Sequence, residues 1–199
     1  MRSNVCKIEK GTKDLDAILR ECEKVAVYND LTHKQMLQLC LLCEELDGML
    51  PHVMEEFDGD LWIEFEDGVC KINVSIQLGE FTGDKKKELI DIAKNKKNAA
   101  SVGIVGKICA AIENFFLDEE MFRACALSLG SFHMATTYGA GMEYPYLWSL
   151  DEYRAVVKKE EKTEKWDELE KSVIASVADD VIIGIKGKQA DIIIVKKFA

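Results

Sequence analysis

The chain reads as an α/β (α+β) two-layer sandwich: one mixed, mainly antiparallel sheet, helices over one face, and a helical insertion between the two halves. Three observations predict it. Two segments near the start repeat apolar residues at helical spacing. Two strictly alternating segments meet at Asp67-Gly68. A further helix and hairpin close the chain from about Lys165 to Phe198.

Asn4 to Ile8 has the length of a short edge strand. Thr12 to about Tyr28 carries Leu15, Ile18, Leu19, Cys22, Val25 and Ala26 on one helical stripe, and Asn29-Asp30 ends it. Thr32 with Gln35 forms a capping box that opens a second helix, with Met36, Leu39, Cys40, Cys43, Leu46 and Leu50 inward. Leu37, Leu41 and Leu42 widen that stripe and predict burial on more than one side. Pro51 lies near the helix end, and Asp58-Gly59 turns the chain. Leu61, Ile63 and Phe65 then alternate with Trp62, Glu64 and Glu66. Beyond Asp67-Gly68, Cys70, Ile72, Val74, Ile76 and Leu78 alternate with Lys71, Asn73, Ser75 and Gln77, the pattern of an antiparallel hairpin.

The pattern changes at Gly79, and residues from about 80 to 162 read as the insertion. Lysines dominate Asp84 to Lys107, either as a solvated helix face or as a dock for an acidic partner or phosphorylated ligand. Helices are expected over roughly Ile104 to Phe116 and Asp118 to Leu129. Gly130 to Leu147, with Gly139, Gly141 and Pro145, reads as a loop. Its aromatic end, Tyr144 to Trp148, either plugs a cleft or presents an anchor to a partner. Ser149 with Glu152 is a second capping box, for a helix toward Lys159. Lys158 to Lys165 is a solvated helix surface or a break. Trp166, Leu169, Val173, Ile174 and Val177 line the closing helix, and Val181 to Ile185 pairs with Ala190 to Val195 about Gly187-Lys188.

The 199 residues suffice for one domain with a substantial core, and 48% apolar against 31% charged residues is a globular balance. A net charge of −10 excludes general nucleic-acid binding, which needs a basic surface to displace counterions. Nothing approaches the ~20 apolar residues of a membrane span, and Met1 to Lys13 lacks the apolar run of a secretory signal. Seven cysteines, an odd number, therefore read as reduced small hydrophobes in a cytoplasmic protein. Cys40 and Cys43 have two residues between them, but they sit in mid-helix with no second pair. Metal binding with His33 or His52, and redox chemistry, are accordingly the lesser readings. His133, among Ser131, Thr136, Thr137 and Tyr138, has no nucleophile signature beside it and reads as a surface or hydrogen-bonded histidine.

The order strand, helix, helix with Glu44-Glu45, hairpin, long connection, helix, hairpin resembles the histidine-kinase-like ATPase superfamily, and within it the anti-sigma-factor serine kinases. Leu41 to His52 is similar to that family's metal-binding helix, and Ser172 to Val181 to its closing helix and strand. The likeness covers about Asn4 to Leu78 and Lys165 to Phe198. It implies ATP and magnesium as ligands, a bacterial regulatory setting, and three sets of atoms. Glu45 or Glu44 would be the acid–base carboxylate, but Met49 or Gly48 falls where a magnesium-binding Asn is expected, and neither offers the oxygen that ion requires. Gln77 and Gly79 would neighbour adenine, with Gln77 or Leu78 standing where the family has Asp. The closing helix opens on Trp166, Asp167 and Glu168 rather than on phosphate-binding glycines; Gly103, Gly106 and Lys107 are the substitute cradle. The resemblance thus implies a degenerate, non-catalytic regulatory or binding protein with a protein partner. The alternatives are an ATP-dependent kinase or ATPase, and a structural subunit that forms a homodimer through the insertion.

Overall fold

The computed structural model describes residues 1–9, 15–53, 57–77, 132–138, 142–159, 172–186 and 189–198. Among them the elements are β1 (Cys6–Glu9), α1 (Leu15–Tyr28), α2 (His33–Val53), β2 (Asp58–Glu66), β3 (Val69–Gln77), β4 (Phe132–Tyr138), β5 (Met142–Ser149), α3 (Leu150–Lys159), α4 (Val173–Val177), β6 (Asp180–Lys186) and β7 (Gln189–Lys197). The fold class is the α+β one expected. Seven strands form one sheet in the order β1-β2-β3-β7-β6-β5-β4, and every pairing is antiparallel.

Local chemistry sets the boundaries. Helix α1 stops because Asn29 Nδ2 donates to the Val25 carbonyl at 2.8 Å and Asp30 takes a left-handed φ of 52°. That lets the Leu31 N–H return to the Ala26 carbonyl at 2.9 Å. Thr32 and Gln35 cap α2 as the sequence implies, with both the Thr32 N–H and hydroxyl 2.8 Å from Gln35 Oε1. The β2–β3 turn places Asp67 at φ 49° and Gly68 at φ 76°, two successive positive values of the kind a two-residue hairpin turn requires. Opposite Gly68, the Phe198 N–H donates to its carbonyl at 2.8 Å, and the Phe198 ring stacks on Phe65 at 6.4 Å.

The long antiparallel ladder between β3 and β7, from Val69–Lys197 to Gln77–Gln189, joins the first third of the chain to the last. Alternation along these strands turns Cys70, Ile72, Val74, Ile76, Ala190, Ile192 and Ile194 to one face. There they share a single core with Ile18, Leu39, Leu46 and Leu50 of the long helices, Leu150 and Tyr153 of α3, and Ile174 of α4. The opposite face carries a small apolar cluster of Leu147, Ile182 and Val195, with Val69 and Ile193 against it. Around it lie polar residues: Gln189 donates to Ser75 Oγ and to Asp191 at 2.9 Å each, and Arg2 covers the Trp62 ring at 4.7 Å.

Two expectations are corrected. Gly130 to Leu147 is largely strand, not loop: β4 and β5 pair from Phe132–Trp148 to Tyr138–Met142, and β5 joins β6. The glycines and Pro145 suggested a break. Pro145, however, precedes the β5–β6 ladder, which starts at Tyr146, so its missing N–H removes no bond from that ladder. His133 accordingly belongs to a strand, opposite Leu147. Helix α2, secondly, is not buried on more than one side. Leu37 and Leu41 are exposed, because the sheet, α1 and α4 together cover only the stripe through Leu39, Leu42, Cys43, Leu46 and Leu50. The helices expected over Ile104 to Phe116 and Asp118 to Leu129, the lysine stretch, and the run Lys158 to Lys165 beyond Lys159 lie outside the described residues. Among those described, no helix is long and apolar enough to cross a membrane.

Candidate functional site

Helix α2 is the element on which the expected chemistry depends. Its inward positions recur at three- and four-residue steps through Leu39, Leu42, Cys43, Leu46, Met49 and Leu50, all buried. Glu44 and Glu45 fall between those positions and are both exposed. Met49, where a magnesium ligand is expected, is only 5% exposed and belongs to the core. Gly48, the other position considered, lies on the open side: a Cβ built there meets nothing within 4 Å.

Gln77 ends β3 and is exposed. It alternates with Ile76, which lies in the core beneath α2, so Gln77 projects from the far side of the sheet. Glu44 and Glu45 are therefore not brought together with Gln77 around one ligand. Gly79, Gly103, Gly106 and Lys107 lie outside the described residues. Among those described, no group of three or more His, Cys, Asp and Glu side chains is arranged to hold a metal ion. Magnesium and a nucleotide triphosphate, the ligands implied by the family likeness, do not fit the described donor set: a buried thioether, an open glycine and two outward carboxylates.

What α2 does assemble is a group of thiols. Cys22 on α1 faces the Cys40–Cys43 pair on α2, and its Sγ donates to Cys43 Sγ at 3.2 Å. Cys40, half-buried one turn before Cys43 on α2, interacts with Cys22 as well. The bond to Cys22, then burial, raises the Cys40 thiol above its ordinary range. For Cys22 the bond to Cys40 lowers the value, but the bond to Cys43 and burial outweigh it, and the thiol is raised. Cys70, across on β3, is pushed up to about 12 by burial alone. Cys22, Cys40 and Cys70 are thereby held protonated at neutral pH. Residue spacing drew attention to Cys40 and Cys43; the missed member was Cys22, whose only signal was its place on the apolar stripe of α1.

A second polar cluster ties the N-terminal segment down. Glu21, buried on the otherwise apolar side of α1, accepts from the Asn4 N–H at 3.0 Å, Asn4 Nδ2 at 3.2 Å and Lys24 Nζ at 2.6 Å. The Lys24 bond, opposed by burial and aided by Asn4, holds the carboxyl below its usual range. This is an anchor for the chain start, with its acceptor atoms already taken.

Comparison with protein-family models, with curated proteins and with solved structures gives no match to this chain.

Proposed function

We propose that this protein is a degenerate, non-catalytic relative of the histidine-kinase-like ATPases that works in regulation by binding another protein. The observation that carries the reading is the partition of side chains along α2. The position expected to ligate magnesium is given to the core through Met49, and the outer face presents Leu37 and Leu41, one turn apart and both exposed. Apolar side chains at that spacing are what a helix offers to a partner's groove or helix. Glu44 and Glu45 flank them with charge, which favours a partner of complementary sign at the rim.

The test is a thermal melt with magnesium and ATP or ADP at millimolar concentration. A ligand present at a hundred times its Kd stabilises by about 2.7 kcal/mol, readily seen as a higher Tm. No change is expected. A clear upward shift would overturn the reading and bring forward an ATP-dependent kinase or ATPase. In that event Glu45→Gln separates binding from turnover: it should retain the shift and lose hydrolysis if Glu45 is the base.

A further inference from the structure

The seam between α1 and α2 holds three thiols in a row with different access to solvent. Cys22 and Cys43 are buried and Cys40 is partly exposed. Cys22 Sγ lies 3.2 Å from Cys43 Sγ, and Cys40, one helical turn before Cys43 on the same helix, is the member of the set that reaches solvent. A disulfide has an S–S length of ~2.05 Å, so Cys22 and Cys43 need approach by only about 1 Å to form one. We infer that Cys40, Cys22 and Cys43 form a thiol relay that hydroperoxides oxidise, with Cys40 as the point of entry and a buried Cys22–Cys43 disulfide between α1 and α2 as the product.

The steps balance. The Cys40 sulfur takes the terminal oxygen of a hydroperoxide; the O–O bond breaks, and the alcohol, or water from hydrogen peroxide, leaves with the thiol proton. Cys22 Sγ attacks the resulting sulfenic sulfur, the S–O bond breaks, and water departs carrying the Cys22 proton. Cys43 Sγ then attacks Cys22 Sγ, the Cys22–Cys40 bond breaks, and the Cys43 proton passes to Cys40. Two thiols are oxidised by two electrons, one hydroperoxide is reduced, and the outer thiol is restored. Because Cys40 and Cys22 are held protonated, the reaction answers sustained rather than brief oxidant. Its product locks α1 to the helix that presents Leu37 and Leu41, so oxidation changes the freedom of that outward face.

The reduced, full-length protein is exposed for a prolonged period to hydrogen peroxide, digested without reduction and read by tandem mass spectrometry. The expected product is a Cys22–Cys43 cross-link, with the intact chain lighter by two hydrogen atoms and its Tm raised. Cys43→Ser should stop at a Cys22–Cys40 cross-link, and Cys40→Ser should slow formation of the buried bond about tenfold by removing the accessible sulfur. Wild-type protein that remains unoxidised at these positions, or that carries a sulfinic acid at Cys40 with no cross-link to Cys22, would overturn the relay without any variant having to fold. Cys40→Ser that oxidises as fast as wild type would remove Cys40 as the entry.

Discussion

Glu21 shows how much a single buried carboxylate can hold. It closes two donors of Asn4 and one of Lys24, and it lies under the N-terminal segment that feeds β1. Glu21→Ala leaves the part-buried Asn4 N–H without its partner, a loss of about 1–3 kcal/mol in urea unfolding at neutral pH. Its folded pKa is lowered, so its contribution is present above the unfolded carboxylate value and disappears as pH falls through the folded one. Glu21→Gln should therefore flatten the acid side of the stability profile; an unchanged acid limb would show that other carboxylates dominate it. Gly59 is constrained differently. A Cβ there would lie 2.4 Å from the Ser75 carbonyl oxygen, a backbone atom of the neighbouring strand that cannot swing aside. Gly59→Ala must push β2 from β3, and should destabilise by at least the ~1–3 kcal/mol typical of overpacking, measured by chemical denaturation.

At the scale of elements, capping and alternation made much of the fold legible. The Thr32–Gln35 box is present as atoms, and Thr32→Ala should cost about 0.5–2 kcal/mol, visible as a lower Tm and earlier fraying of the first turn of α2 by hydrogen exchange. The Asp67-Gly68 hairpin was legible because period-two burial and a turn pair coincide, as was the last hairpin, whose strands run Asp180–Lys186 and Gln189–Lys197. The strands β4 and β5 were hidden because glycines and a proline signal a break, while the partner that stabilises them, β6, lies more than thirty residues further on. The start of α3 was half visible. Ser149 was read as its cap, but Asp180 also accepts from Ser149 Oγ at 3.1 Å and from the Asp151 N–H at 3.0 Å, a contribution from distant sequence that no local pattern carries. The facing of the two glutamates was hidden for a related reason. Adjacent glutamates on a helix have no facing until the packing is known, and packing assigns the inward stripe to Cys43, Leu46 and Met49.

For the molecule as a whole, the decisive contact is the β3–β7 ladder, because it makes two distant parts of the chain one cooperative body. Ile194 sits opposite Ile72 across that ladder and opposite Val181 on β6, and it is almost wholly buried in the core that all four described helices share. Removing its side chain to the β-carbon should cost about 2–5 kcal/mol, through lost burial and the cavity left between strands from both halves. If stability is held jointly, Ile194→Ala must lower amide protection in β2 and β3 as much as in β6 and β7, although the first pair is more than a hundred residues away in sequence. The edge strands β1 and β4, bonded on one side only, should exchange faster than the interior ladders in the wild type. Hydrogen exchange read by mass spectrometry on both proteins resolves the point. Loss of protection confined to β6 and β7 would mean that the two halves of the sheet open independently, and strain at the α1–α2 seam could not then reach the far strands.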